Sequence, residues 1–156
     1  MPDIEFMNRI ETRLSELGLT IPEPKPPVAN YLGCKRSGNL LFVSGRVSQL
    51  RGEVGSIIST ADARLAAQCA MLDILAIVKQ AIGTLDKIVS IEKLQGFVRS
   101  APSFTEQPAV IDGASDLLVE LFGENGRHAR TATGASQLPF GAAVQLDLVM
   151  RLQTPT

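Results

Sequence analysis

Residues 144–152 alternate between apolar and mostly polar side chains. Apolar residues occupy every second position from Val144 to Leu152, and polar residues occupy three of the four positions between them. Because successive side chains of a strand point to opposite faces, the alternation predicts a strand with one face in a hydrophobic core and the other face outside it. A sheet built around such a strand needs helices over its apolar face. The rest of the chain must supply them.

Two further segments have the periodicity of core helices. Residues 59–83 begin at a capping serine and carry apolar side chains at helical spacing, Leu65 and Cys69 among them. Residues 108–123 repeat the pattern behind a proline suited to a first turn. Strands are predicted on both sides of a turn at 37–39, within 87–100, and at about 129–137 and 142–152. The order β-β-α-β-α-β-β predicts an α+β fold in which two helices cover one face of a mixed sheet.

The N-terminal part of the chain has a different character. Residues 3–17 have helical spacing, with Asp3 as a cap and Gly18 at the end. Four prolines follow in the seven residues 21–27, and this run cannot continue a helix. We therefore predict an extra helix and proline-rich connector over 1–27, packed on a main domain over 28–156.

Composition and charge limit the partners and cofactors that we expect. The net charge is −1, from 15 basic and 16 acidic residues, and the basic residues are mostly scattered, so no nucleic-acid partner is expected. The two cysteines have no metal-ligand spacing, and neither a metal nor a cofactor is predicted. No signal peptide or uninterrupted apolar span indicates a membrane. A cytoplasmic protein is the expectation.

Arg130 stands out because it heads a nearly uncharged strand. Alternation places it on the same side as Ala132, Gly134 and Ser136, and we expect this side to be the open face of the sheet. An arginine among small side chains can bind a carboxylate through two parallel hydrogen bonds. A salt bridge to an acid such as Asp147 in a neighbouring subunit is the alternative. A face lined by small residues is also suited to packing against another subunit.

Several motifs, in order, resemble the YjgF/RidA family. "ARTATGASQLP", residues 129–139, followed by an alternating strand, is similar to that family's C-terminal signature, in which an arginine precedes a Leu-Pro turn by the same interval. "FVSG" at 42–45 resembles its second-strand Ser-Gly, and Tyr31 matches a tyrosine of its first strand. The resemblance runs from about residue 28 to 152, roughly four-fifths of the chain. The added N-terminal segment is similar to a longer, chorismate-mutase-like branch.

The resemblance implies a homotrimer with small-molecule clefts between subunits. In well-known members an arginine holds the carboxylate of a 2-imino acid, and water hydrolyses the imine to a keto acid and ammonia. Carried onto this sequence, Arg130 becomes the carboxylate anchor. Tyr31, Ser44 and Gly45 line the cleft, and the backbone around Ala132 completes it. The expected ligand is therefore a small carboxylate.

Three positions depart from the family pattern. The glutamate that positions water falls at Gln145, six residues after the proline of the Leu-Pro turn. An amide can orient water through its carbonyl oxygen, but it cannot take the proton. The cysteine often found two residues after the arginine is Ala132. The family's asparagine on the second helix has Ser115 as its nearest counterpart.

These departures leave two functions open. One is an imine or enamine deaminase that uses Arg130 to anchor its substrate and Gln145 to place water. The other is a non-catalytic trimer that binds or senses small carboxylates, and the amide at Gln145 favours it. An endoribonuclease activity, ascribed to parts of the family, is not supported by a sequence with a single histidine.

Overall fold

The computed structural model describes residues 8–155, and it confirms the predicted order of elements. In chain order the helices and strands are α1 (Arg9–Glu16), β1 (Cys34–Ser37), β2 (Leu40–Val47), α2 (Thr60–Ile82), β3 (Ile88–Arg99), α3 (Gln107–Phe122), β4 (Ala129–Ala135) and β5 (Val144–Leu152). Short 3₁₀ turns precede β3, follow α3 and precede β5.

The five strands form one mixed sheet in the order β1-β2-β5-β3-β4. Only β3 and β4 are parallel, and the other neighbours are antiparallel. The apolar side chains of β5 are buried from Val144 to Leu152, under α2 and α3, as the alternation predicts. The fold is the predicted α+β sandwich, with two helices on one face of the sheet and an additional N-terminal helix.

Helices α2 and α3 pack closely against each other. Ser59 caps α2 by accepting a hydrogen bond from the backbone N–H of Asp62 at 3.1 Å. At the contact with α3, a Cβ on Gly113 would lie 2.0 Å from the carbonyl oxygen of Arg64, so only glycine allows this approach. By length and composition alone, α2 could cross a membrane. However, 56% of its apolar 18-residue stretch is buried inside the structure. Its buried residues form part of the core between the sheet and α3.

Two of the apolar residues predicted for the buried side of α2 are exposed. Leu65 is 60% exposed and Cys69 is also exposed, whereas Ala63, Ala67 and Ala70 are buried. The helix is apolar around most of its circumference, so periodicity alone did not define which side meets the core. The alanines face inward because their small side chains allow close helix packing.

The N-terminal helix is bound to the main body by both apolar and polar contacts. Ile10 and Leu14 are 1% exposed and belong to the core. The Asp86 carboxylate accepts hydrogen bonds from the backbone N–H groups of Arg9 and Ile10, both at 3.1 Å, so it satisfies donors of the first turn. The predicted cap at Asp3 lies outside the described residues.

The predicted orientation of β4 is wrong. The guanidinium of Arg130 donates to Asp112 of α3, Ala132 packs against the core, and a Cβ on Gly134 would lie 3.0 Å from the side-chain nitrogen of Gln107. These residues therefore lie on the helix side of the sheet, and Ser136 follows the end of the strand. The open face carries Thr131, whose hydroxyl accepts a hydrogen bond from Lys93. Small residues are needed here because α3 passes close to the edge strand.

Candidate functional site

A pocket of about 730 Å³ lies beside the unpaired half of β2. β1 pairs only with residues 40–43 of β2, so no strand of the sheet flanks the continuation of β2 on that side. The proline-rich connector, α2 and the turn before β5 supply the other walls. We call this cavity the β2-edge pocket. Its volume is in the range usual for small-molecule sites, about 300–1,000 Å³.

Three of the predicted site residues meet in the β2-edge pocket: Tyr31, Gly45 and Gln145. Val47, at the end of β2, pairs with Gln145 of β5, and a register shift in β2 covers Gly45. A Cβ at Gly45 would lie 3.3 Å from the amide nitrogen of Gln145, so the glycine leaves room for that side chain. The Gln145 amide forms no hydrogen bond with residues 8–155 and is available to a ligand or to water.

Ser44 supports the pocket from behind and does not line it. Its hydroxyl donates a hydrogen bond to the carbonyl oxygen of Leu32 at 2.5 Å. Its backbone N–H donates to the carbonyl oxygen of Gly33 at 2.9 Å. Both bonds hold the segment that carries Tyr31 against β2. The role that the structure gives Ser44 is therefore to position Tyr31.

The Leu-Pro turn brings an aromatic side chain to the mouth of the pocket. Phe140 lines the cavity, is 60% exposed, and has φ of +60°. Within residues 8–155 it is the one non-glycine residue with positive φ. This conformation is unfavourable for a bulky side chain, and such strain is found most often at functional sites.

The β2-edge pocket also contains charges that the sequence analysis missed. Lys25, Arg46 and Arg51 line it together with one acid, Asp73. Burial raises the pKa of the Asp73 carboxyl, and the charges of Lys25 and Arg46 lower it by a smaller amount. A signal was present at Asp73, because it is the sole charged residue between Arg64 and Lys79 in an apolar helix.

Arg130 belongs to a second group of polar residues, on the other edge of the sheet. Its guanidinium donates to the Asp112 carboxylate at 2.7 Å and to the Ser115 hydroxyl at 3.1 Å. His128 Nδ1 is 2.7 Å from the carbonyl oxygen of Gly126, and Nε2 is 2.9 Å from the Ser115 hydroxyl. We call Arg130, Asp112, Ser115 and His128 the Arg130 cluster.

The hydrogen bonds of this cluster have a definite direction. A carbonyl oxygen can only accept, so His128 carries its proton on Nδ1 and, in the neutral ring, accepts from Ser115 on Nε2. Ser115 in turn accepts from Arg130. The ion pair to Asp112, within the same subunit, takes the place of the salt bridge to Asp147 considered as an alternative. Arg130 is thus held in a fixed orientation, with 24% of its side chain exposed.

The β2-edge pocket and the Arg130 cluster are separated within one subunit. Arg130 lies on the helix side of β4, whereas Gln145 lies on the open side of β5, and β3 runs between those strands. Neighbouring strands are about 4.8 Å apart, so β5 and β4 are roughly 10 Å apart across the sheet. This distance and the opposite faces keep Arg130 away from Gln145 within the chain. Among residues 8–155, no group of three or more histidine, cysteine or acidic side chains could hold a metal ion.

Known proteins with similar sequences and structures point to one family. Residues 11–152 match the family described as "YjgF/chorismate_mutase-like, putative endoribonuclease". The chain is 40% identical to Protein TCP17 of Trypanosoma cruzi over 92% of this chain and 94% of that protein. It is 45% identical to the crystal structure of Atu1372, a protein of unknown function from Agrobacterium tumefaciens, with a TM-score of 0.86 and 92% of each chain covered.

The fold is also that of the Rid proteins. The crystal structure of RidA from the Antarctic bacterium Psychrobacter aligns with a TM-score of 0.53 and 21% identity, over 85% of this chain and 96% of the other. Identity this low shows a shared fold alone. The family match, in contrast, spans residues 11–152 and includes most of α1. The chain therefore belongs to the YjgF/chorismate-mutase-like family, whose fold the Rid proteins share.

Proposed function

We propose that the protein is RidA-like and binds small 2-imino or 2-oxo carboxylates in clefts between subunits of a homotrimer. The observation that carries the proposal is that Tyr31, Gly45 and Gln145 line one pocket although they come from three separate segments. Their side chains and backbone form a cavity of small-molecule size with an unpaired amide inside it. Family membership agrees with such a role.

The site is proposed to be shared because each subunit holds its two halves apart. The Arg130 cluster would bind the carboxylate of a ligand whose other end enters the β2-edge pocket of the neighbouring subunit. The open face of the sheet favours assembly, because Phe42 is 46% exposed there and Val89 is 41% exposed. Apolar side chains of this size on a sheet face are better buried against another copy.

The chemistry proposed for the cleft depends on Gln145. Its carbonyl oxygen can accept a hydrogen bond from a water molecule near the ligand, but the amide cannot remove the proton of that water. Hydrolysis of an imine would then be slow. Binding without rapid turnover is therefore the form of the function that we favour, and deamination to a keto acid and ammonia is the second candidate.

Calorimetry combined with light scattering tests the proposal. Wild-type protein is titrated with 2-oxobutanoate and, as a control that lacks the carboxylate, with 2-butanone. We expect saturable binding of the acid at one site per subunit, no binding of the ketone, and the mass of a trimer. Binding of the acid by a monomer would exclude the shared cleft, and absence of binding would exclude the proposed ligand class.

A further inference from the structure

The β2-edge pocket carries more positive charge than a ligand with one carboxylate requires. Three basic residues and one acidic residue line it, which gives a local charge of +2 when Asp73 is ionised. The whole chain has a net charge of −1, so this positive charge is concentrated at the cavity. A cleft lined by one sign of charge attracts ligands of the opposite sign.

Arg46 is the central cation in this arrangement. It follows the register shift between Val43 and Arg46 in the pairing of β2 with β5, and its partner on β5 is Leu146, the residue after Gln145. Its side chain is half-buried and forms no hydrogen bond or ion pair with residues 8–155. A guanidinium in this setting can bind an anion through two parallel hydrogen bonds without first breaking another contact.

Asp73 does not neutralise the basic residues. Lys25 and Arg46 are close enough to lower its pKa, but burial has the larger, opposite effect. Among the described residues, no ion pair within 4.0 Å joins Asp73 to either cation. Lys25 and Arg46 therefore share the α2 side of the pocket, and a ligand anion would satisfy both.

We propose that the β2-edge pocket binds a second carboxylate of the ligand, so that the preferred ligands are 2-oxo or 2-imino dicarboxylates. The inference rests on the proposed function, in which the first carboxylate binds Arg130 of a neighbouring subunit. The terminal carboxylate binds Arg46, with Lys25 beside it. A cavity of about 730 Å³ holds a five-carbon dicarboxylate with room for water.

Two ligands of equal chain length isolate the terminal carboxylate. Wild-type protein is titrated by calorimetry with 2-oxoglutarate and with 2-oxopentanoate, which has a methyl group in place of that carboxylate. We expect 2-oxoglutarate to bind about tenfold more tightly, the effect of one charge-assisted contact in a partly open site. Arg46→Gln should remove this preference by weakening the binding of 2-oxoglutarate alone.

Two further variants exclude general effects of charge and folding. Arg64→Gln removes the same charge from α2, where Arg64 pairs with Asp116 outside the pocket, and should keep the preference. Arg46→Lys retains the positive charge and should keep most of the preference for 2-oxoglutarate. Light scattering of each variant establishes that the assembly is unchanged.

The possible results separate this inference from the proposed function. Equal affinity of the wild type for the two acids would overturn the dicarboxylate preference and leave the proposed function intact. A preference that survives Arg46→Gln would overturn the role of Arg46. No binding of either acid would overturn the proposed function and this inference with it.

Discussion

The β2-edge pocket and the Arg130 cluster both contain charged side chains, but only the cluster satisfies them internally. Arg130 is bonded to Asp112 and Ser115, and the serine is bonded to His128. In the pocket, neither Arg46 nor Gln145 has a hydrogen-bond partner within residues 8–155. Both groups line an open cavity, so they can bond to water or to a ligand.

The difference indicates a division of roles between the two regions. The cluster is pre-organised, because hydrogen bonds to Asp112 and Ser115 fix the orientation of the guanidinium before any ligand arrives. The pocket is unsatisfied, and a ligand or bound water would complete its hydrogen bonds. A ligand that spans both regions would meet a rigid anchor at one end and an adaptable cavity at the other.

The largest effect is expected from Gln145→Glu, which gives the unsatisfied region a proton acceptor. The substitution is nearly isosteric, and Gly45 leaves room for the new side chain. A positioned general base is worth about 10²–10⁴ in rate, so hydrolysis of 2-iminobutanoate should rise by that factor over a slow wild type. Ammonia release, measured with an established family deaminase as reference, checks this.

Two results would contradict this prediction. Wild-type hydrolysis as fast as that of the reference deaminase would mean that orienting water is sufficient for catalysis. No gain in the glutamate variant, with binding of 2-oxobutanoate unchanged, would mean that the pocket serves another purpose. Asp147 lies two residues away on the same face, and burial raises the pKa of its carboxyl. The activity of the variant should therefore rise with pH as the new carboxylate ionises.

Arg130→Ala tests whether the cluster is an anchor or an internal ion pair. Loss of a charge-assisted contact to the ligand typically costs about 1.5–3 kcal/mol, so affinity for 2-oxobutanoate should fall roughly ten- to a hundredfold. Arg127→Ala is the matched control, because Arg127 is exposed and pairs with Glu124. Unchanged affinity in the Arg130 variant would assign this arginine a purely structural role.

Sequence reasoning predicted the fold well because alternation defines the buried side of β5, around which the sheet is built. It failed on β4, where Ala132 and Gly134 are small for a different reason than expected. Small residues suit an open face that packs on another subunit, and they equally suit an edge strand beneath a close helix. Periodicity does not distinguish these two settings.

The charged wall of the pocket was missed for another reason. Lys25, Arg46 and Asp73 are distant in the chain, and only the tertiary structure brings the connector, β2 and α2 together. Tyr31, Gly45 and Gln145 were found through the family resemblance, without any knowledge of the cavity. The motifs identified positions that correspond to the family's site, whereas the charges of this pocket became evident only from the tertiary structure.

Asp112→Asn should have a smaller effect, in the opposite direction from Arg130→Ala. The Asp112 carboxylate competes with a ligand for the guanidinium, and it is 43% exposed. Exposed ion pairs contribute about 0.2–1 kcal/mol, so removing this competitor should tighten binding of 2-oxobutanoate by roughly two- to fivefold. Asp116→Asn, which breaks the exposed pair with Arg64, should leave affinity unchanged. Weaker binding in the Asp112 variant would mean that Asp112 orients Arg130 more than it competes.

Asp73→Asn should have the smallest effect, and its pH dependence tests the electrostatics of the pocket. Because the folded-state pKa of Asp73 is raised by burial, the folded protein binds this proton more readily than the unfolded chain does. The ionised carboxyl therefore lowers stability at neutral pH, and this cost disappears as pH falls through the raised pKa.

The asparagine variant should melt roughly 1–2 °C higher at pH 7, a modest shift because solvent screens a half-exposed group. Its advantage over the wild type should shrink as pH falls and Asp73 of the wild type takes up its proton. Asp116→Asn supplies the contrast, because Asp116 is paired with Arg64 and its removal should give no stabilisation at pH 7. If the melting temperature of Asp73→Asn exceeded that of the wild type by the same amount at pH 4, packing and not charge would account for the difference in stability.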